Sequence, residues 1–395
     1  MRKTLRLVSI IIVTVAALFL FRDYLLVSFI KVFYQKDYEG EKLPFPEISD
    51  SLQAVLSDYI QDAYRSPEQY IVDQFETHDI IFVGEYHRIK HDAELIQSLI
   101  PWLYENGIYN LGIEFACSKD QTLIDSLILS PEYDQKLANR ILFDGDVTWG
   151  YQEYADVFSA AWSVNSRRAS NKKKFRVWGL NIPQYTGDHD AHMAKIIAED
   201  FVATNEKALI YCGMHHAFTK YRQPIIQNGR LSQLSDARAG NRIERLIHDR
   251  VFTICLHHPW AGEGGYSSSY GYPAGGIIDT LMRTVPIEYR RVGFDTDGSP
   301  FGDIACRACV YQNGYTDFRL EDFCDGYIYQ KPLSEYEGVT AIEDFITKEN
   351  INEARSRFPN NGFKFLFDHF GPVFWNYAIS MDADLERGHQ FAKYK

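Results

Sequence analysis

The chain has 395 residues, of which 46% are hydrophobic and 24% charged, and these proportions are typical of a globular protein with one large or two medium cores. Its formal net charge of −12 argues against sequence-independent binding to nucleic acid, which needs a positively charged face. We therefore expect a globular protein that does not bind nucleic acid.

The first 35 residues are predicted to anchor the chain to a membrane. Three basic residues precede an unbroken apolar run over 7–21, and a charged pair at 22–23 separates this run from further apolar residues. The basic flank predicts an uncleaved signal anchor over 1–35, with the bulk of the chain on the extracytoplasmic side, periplasmic or extracellular. A cleaved signal peptide is the alternative, because the run is short for a spanning helix.

The rest of the chain is predicted to form a linker over 36–51 and a single α/β domain over 52–395. Apolar runs of strand length alternate there with segments of helical pattern, which predicts a mainly parallel sheet with helices on both faces. A segment at about 121–174 breaks this alternation and is predicted to be a helical insertion. We also expect a long loop over 258–276, which is a lid, a binding loop or a disordered segment, and a helix over 338–358.

Polar side chains follow six of the predicted strands, at the point where each strand ends. In parallel α/β architectures the carboxyl ends of the strands lie at one edge of the sheet, and ligands bind there. We therefore expect these residues to converge in one cleft. In chain order they are Glu85 and His87, Glu114, Asn181, His215 and His216, His257 and His258, and Asp295 and Asp297.

Each of these residues also has an ordinary interpretation. A carboxylate after a strand often caps the next helix, a histidine is often a hydrogen-bonded structural residue, and Asp295 and Asp297 are typical of a turn. His91, four residues after His87, is expected either to share a helix face with it or to be exposed. The recurrence of polar groups at one sheet edge favours a functional site over separate caps.

Three short motifs in this order resemble a known superfamily. They are Gly-Glu-Tyr-His at 84–87, a strand-end glutamate at Glu114, and Gly-Met-His-His at 213–216. This set resembles the superfamily that groups erythromycin esterases, ChaN-type haem-binding uptake proteins and Tiki/TraB metalloproteases. Members of that superfamily resemble one another in a Gly-x-x-His motif, a glutamate at the end of the next strand, and a second Gly-x-x-His motif, whose histidine position is taken here by His216.

The resemblance covers roughly residues 79–217, and the stretches 292–304 and 325–333 also look like the ChaN-type branch. The chain departs from the erythromycin-esterase pattern directly after His87, where Arg88 stands instead of glycine. This departure argues against macrolide-esterase activity itself.

Two hydrolytic mechanisms fit the residues that the motifs share. In the first, His87 is a general base oriented by Glu85 or Glu114, and it activates a water that attacks an ester or amide carbonyl, while His216 stabilises the oxyanion or protonates the leaving group. In the second, His87, Glu114 and His216 bind a divalent metal ion with an open position for water. The supporting residues are predicted to be His91, Asn181, His215, His258 and Asp295.

We thus predict a membrane-anchored hydrolase with a small-molecule or peptide substrate. A serine hydrolase is disfavoured because no Gly-x-Ser-x-Gly motif occurs, and no phosphate-binding or dinucleotide motif is present. The ChaN-type branch implies haem or iron binding as the alternative, with imidazoles as axial ligands. A third interpretation is an interaction domain whose site has decayed. A local disulfide among Cys306, Cys309 and Cys324 is compatible with export.

Overall fold

The structure of the protein is a computed structural model that describes residues 43–169, 171–183, 186–227, 230–265, 270–357, 371–385, 391 and 394. The predicted signal anchor over 1–35 and residues 36–42 of the predicted linker lie outside these residues. Within the described ranges, no helix is both long and apolar enough to cross a membrane.

A seven-stranded sheet forms the centre of the fold, in the order β10-β11-β7-β1-β4-β2-β3, and two small antiparallel pairs, β5 with β6 and β8 with β9, accompany it. The strands are β1 (Ile80–Glu85), β2 (Asn110–Cys117), β3 (Arg176–Asn181), β4 (Ala208–Gly213), β5 (Gln223–Gln227), β6 (Arg230–Ser235), β7 (Val251–Leu256), β8 (Trp260–Ala261), β9 (Tyr270–Gly271), β10 (Val292–Asp295) and β11 (Gly326–Tyr329).

Twelve α-helices are present in the described part of the chain. They are α1 (Asp50–Asp62), α2 (Pro67–Gln74), α3 (Lys90–Glu105), α4 (Gln121–Ile128), α5 (Gln135–Gly145), α6 (Gln152–Arg167), α7 (His189–Ile196), α8 (Ala239–Ile247), α9 (Ile277–Met282), α10 (Leu320–Phe323), α11 (Ile351–Arg357) and α12 (Pro372–Ala383). A π-helical turn, Ile197–Val202, continues α7.

Side chains of the central strands alternate between two hydrophobic cores, one on each face of the sheet. Ile81 and Val83 of β1 pack with helices α2 to α6, whereas Ile80 and Phe82 pack with α1, α7, α8 and α9. Every residue of β1, β4 and β7 is buried, as expected for parallel strands covered on both faces. The mainly parallel sheet with helices on both faces is therefore confirmed, and α4, α5 and α6 occupy the segment predicted to be a helical insertion.

The edge strand β10 runs antiparallel to β11, whereas all other pairs in the sheet are parallel. The end of β10 therefore lies at the opposite edge from the other strand ends, and the expectation that Asp295 joins the cleft is wrong. Asp295 instead accepts hydrogen bonds from Tyr70 (2.8 Å) and Gln74 (3.1 Å) and pairs with Arg65 at 3.2 Å. Its role is to connect α2 to the sheet edge.

The predicted helix over 338–358 is wrong for its first part. Only α11 is helical there, and the preceding residues pair with the loop before α6, where the Ile342 amide donates to the Gly150 carbonyl at 2.8 Å. Asn350 explains the late start, because its side chain accepts from the Thr347 amide and donates to the Phe345 carbonyl. All six cysteines are buried free thiols.

We expect Asp295→Ala to reduce the free energy of unfolding without affecting activity. The substitution removes the acceptor of the buried Tyr70 hydroxyl, and an unsatisfied buried group costs about 1–3 kcal/mol. Urea unfolding measures the loss, and Asp295→Asn, which keeps an acceptor oxygen, is the matched control with a smaller effect. A variant of unchanged stability that lost its activity would instead place Asp295 in the functional site.

Candidate functional site

The carboxylate of Glu85, at the end of β1, is buried and holds the first histidine in place. Its oxygens accept hydrogen bonds from Tyr154 on α6 at 2.8 and 3.0 Å and from Tyr211 on β4. The Nδ1 atom of His87 lies 2.8 Å from Glu85 Oε1. This contact makes Nδ1 the donor, so that Nε2 is the ring atom that carries the lone pair when the imidazole is neutral.

Glycine at position 213 allows His87 to approach the adjacent strand. Glu85 of β1 is in register with Gly213 of β4, and a Cβ atom built on Gly213 would lie 2.8 Å from both Cε1 and Nε2 of His87. Any larger residue would displace the imidazole. The second Gly-x-x-His motif therefore supplies space for the histidine of the first motif.

Glu114 of β2 lies between the two predicted histidines. Its Oε2 atom accepts the Gly213 amide at 2.6 Å, and its Oε1 atom lies 3.2 Å from His216 Nε2 and 3.9 Å from His87 Nε2. The four residues predicted to be catalytic, Glu85, His87, Glu114 and His216, are therefore brought together by three neighbouring strands, β1, β4 and β2.

His216 is held by a second carboxylate that the sequence did not indicate. Its Nδ1 atom lies 2.8 Å from Asp190 Oδ1, which also accepts the Ala239 amide at 2.8 Å. The other oxygen of Asp190 pairs with Arg238 at 3.0 Å. Asp190 belongs to the first turn of α7, and it links that helix to the start of α8.

Electrostatics favour charged forms of the residues around Glu114. Burial opposes the charge of His216, but Glu114 and Asp190 outweigh burial and raise its pKa to about 10. Burial likewise opposes the charge of His87, and Glu114 and Glu85 again outweigh it, so the pKa of His87 is raised. Burial also disfavours the charged carboxylate of Glu114, but the two histidines and the Gly213 amide hold its pKa well below the usual range. At neutral pH, His216 is an imidazolium and Glu114 a carboxylate.

Two cavities meet at Glu85 and His87. The first, of about 220 Å³, reaches Glu114 and the helical insertion, where Asp146 and Trp149 line it. The second cavity, of about 300 Å³, extends from His87 toward the small strand pair β8 and β9. It is lined by Glu85, Tyr86, His87, Arg88, Gly213, Met214, His215, His216, His258, Pro259, Ala261, Tyr270 and Tyr311. A ligand at His87 is thus able to extend in two directions.

The residues predicted to support the site have different locations. Asn181 lines the first cavity and contacts His189, and His215 and His258 line the second cavity. His91 is buried in the first turn of α3, with its ring 4.4 Å from that of Tyr336, and it lines neither cavity. Asp295 lies at the opposite sheet edge, as described above.

The residues that hold the predicted site residues in place were not identified from the sequence. Tyr154 and Trp149 come from the helical insertion, Tyr211 lies inside a buried strand, and Asp190 follows no strand at all. One signal in the sequence could have indicated Trp149 and Tyr154. It is the aromatic stretch around 149–158, which lies within the segment predicted to be a helical insertion. The polar residues at strand ends indicated the site, but its supports come from other elements.

The described residues offer no metal centre, and His216 does not suit axial haem ligation. In the described part of the chain, no three His, Cys, Asp or Glu side chains are arranged to hold a metal ion. Both ring nitrogens of His216 contact carboxylates, at 2.8 and 3.2 Å, which leaves this ring no free nitrogen for axial ligation.

Comparisons with known proteins show a shared fold. No family model matches the chain, and no curated protein matches its sequence. A solved succinoglycan biosynthesis protein is similar to 74% of this chain over 99% of its own length, with a TM-score of 0.51 and 12% identity. A Bacillus cereus protein is similar over 75% of this chain and 100% of its own, with a TM-score of 0.49 and 10% identity.

A structure described as cofacial haem binding to ChaN of Campylobacter jejuni is similar over 47% of this chain and 84% of its own, with a TM-score of 0.33 and 12% identity. Of these three structures, the succinoglycan biosynthesis protein has a TM-score above 0.5, and at 12% identity its likeness shows a shared fold alone.

We expect Asp190→Asn to lower the pKa of His216 by about one unit or more, because it removes an opposite charge in contact with the ring. NMR titration of the His216 ring measures the change. Asp188→Asn is the matched control, since Asp188 precedes the same helix and pairs with Arg242. An unchanged His216 pKa in Asp190→Asn would contradict the role assigned to Asp190.

We expect His258 to make the fold less stable in acid. Burial lowers its pKa to about 4, below the value of about 6.5 in the unfolded chain. Between these values the unfolded state binds the proton and the folded state does not, so the free energy of unfolding falls as pH decreases from about 6.5 to 4, by roughly 3 kcal/mol. Urea unfolding as a function of pH measures this, and His258→Gln is expected to show a smaller slope.

Proposed function

We propose that the chain is a hydrolase that cleaves an ester or amide bond with His87, Glu114 and His216. One observation carries the proposal. Each histidine has its Nδ1 atom held by a carboxylate, Glu85 or Asp190, and turns Nε2 toward the same oxygen of Glu114. Paired imidazoles oriented by carboxylates, at the mouth of two cavities, are suited to moving protons during acyl transfer.

The two histidines have different roles because their contacts differ: Nε2 of His216 lies 3.2 Å from Glu114, whereas Nε2 of His87 lies 3.9 Å from it and, in the neutral ring, is open to water. His87 accepts a proton from water at Nε2 as the water oxygen bonds to the carbonyl carbon, and Glu85 stabilises the resulting imidazolium. His216, already an imidazolium, stabilises the developing oxyanion or gives its Nε2 proton to the leaving oxygen or nitrogen as the bond to carbon breaks. Glu114 fixes both rings and balances their charge.

A covalent route through a thiol is less well supported. Cys212 is the cysteine that lines the first cavity, and burial raises the pKa of its thiol well above the usual value. A protonated thiol is a poor nucleophile. Direct attack by water is therefore the mechanism that we propose.

The proposal extends to location and substrate. The predicted signal anchor would hold the domain on the extracytoplasmic side of a membrane, and the cavities suit a small molecule or a peptide end. Sequencing the N-terminus of the mature protein tests the anchor, because a start beyond residue 20 would mean that the segment is removed.

Haem or iron binding of the ChaN type is the second candidate. It is favoured by the imidazoles and tyrosines that share the second cavity, since haem sites use such side chains. A Soret band on protein incubated with haemin, lost in His258→Ala and retained in His87→Ala, would support it over hydrolysis.

We expect His87→Ala and His216→Ala each to lower hydrolysis of a test ester by roughly 10²-fold or more, the loss typical of a general acid or base. The double variant should be scarcely worse than either single one, because the two rings act as a unit. His248→Asn is the control, since this histidine is exposed and asparagine tolerates its positive φ of 48°. Retention of full specific activity by folded His87→Ala would reject the proposed mechanism.

A further inference from the structure

Arg88 adopts a backbone conformation that favours glycine. Its φ is 72°, in the left-handed region that few residues other than glycine, asparagine and aspartate adopt readily. It directly follows His87, at the position where the resembling esterases have glycine. An arginine in this conformation is strained, and such strain concentrates at functional sites.

The side chain of Arg88 is fixed by aromatic rings rather than by a close carboxylate. Its guanidinium lies 5.1 Å from the centroid of Trp149 and 5.7 Å from that of Tyr151, whose hydroxyl accepts from Nε at 3.0 Å. The ion pair with Asp382 is long, at 3.5 Å, and more than half of the Asp382 side chain is exposed. These cation–π contacts hold the guanidinium in place and leave donors for another group.

Arg88 and the proposed base pack against the same indole. The ring of His87 meets Trp149 edge to face at 5.0 Å, and Arg88 lines the second cavity together with His87 and His216. A ligand whose reacting carbonyl lies at His87 would therefore have the guanidinium within the reach of a short spacer.

Nearby acidic groups offset the charge of Arg88 only in part. Asp146 lies on the wall of the first cavity, but burial raises its pKa, and its carboxyl group accepts from the amide and hydroxyl of Thr148 at 2.8 Å. Glu85 and Glu114 are committed to the two histidines and the Gly213 amide.

We propose that Arg88 determines specificity by binding an anionic oxygen group of the substrate, a carboxylate or a phosphate, that is joined by a short spacer to the bond being cleaved. The inference rests on the proposed hydrolase function and names its substrate class. Guanidinium groups bind such oxyanions through two parallel hydrogen bonds, which a neutral ester does not provide.

Two matched esters test the inference: mono-4-nitrophenyl glutarate, which carries a carboxylate, and neutral 4-nitrophenyl butyrate. We expect the wild-type protein to favour the anionic ester by 10-fold or more in kcat/KM. Arg88→Gln and Arg88→Gly should abolish this preference, and the glycine variant also removes the backbone strain. Arg222→Gln, at an exposed position, is the control that keeps the preference.

Calorimetric binding of glutarate and of inorganic phosphate provides a readout independent of turnover and distinguishes the two anions. Arg88-dependent binding without hydrolysis of either ester would keep this inference and overturn the proposed function. Hydrolysis of both esters without a charge preference, or a preference that survives in Arg88→Gly, would overturn the inference and keep the function. Absence of both hydrolysis and anion binding would overturn both.

Discussion

The buried carboxylate of Glu85 is the group on which the rest of the site depends. A carboxylate removed from water is costly unless its oxygens are paired, and here Tyr211, Tyr154 and His87 supply the partners. These three come from a neighbouring strand, from a helix of the insertion and from the loop after β1. The requirement to pair one charge therefore fixes the positions of the sheet, the insertion and the first histidine relative to one another.

From that carboxylate, groups of alternating charge continue across the sheet edge. Glu85 contacts His87, Glu114 lies between His87 and His216, and His216 contacts Asp190, which pairs with Arg238. For His87, Glu114, His216 and Asp190, the opposite charges of their neighbours stabilise the charged form more than burial disfavours it. Adjacent members of such a row respond together when one is changed, and the proton affinity of each histidine is a property of the row.

Particular residues show which parts of the fold and of the site could be predicted from the sequence. The apolar runs and the polar residues that end them were sufficient to predict a parallel sheet and to bring Glu85, His87, Glu114 and His216 to one edge. Asp295 follows a similar apolar run, but strand direction depends on which neighbour a strand pairs with, and that is a property of the whole fold. Asp190 was not predictable for a related reason, since its importance arises from the packing of α7 against the start of α8.

The hydroxyl of Tyr154 joins the helical insertion to the end of β1. It donates to the carboxylate of Glu85 and accepts the backbone amide of Arg88. The insertion that carries Tyr154 also supplies Trp149, Tyr151 and one wall of the first cavity. The groups proposed to transfer protons thus follow strands of the sheet, whereas one wall of the first cavity belongs to a segment between two strands. Such a division lets inherited variation in the segment alter ligand choice while the reactive groups keep their arrangement, which is a route to divergence within one architecture.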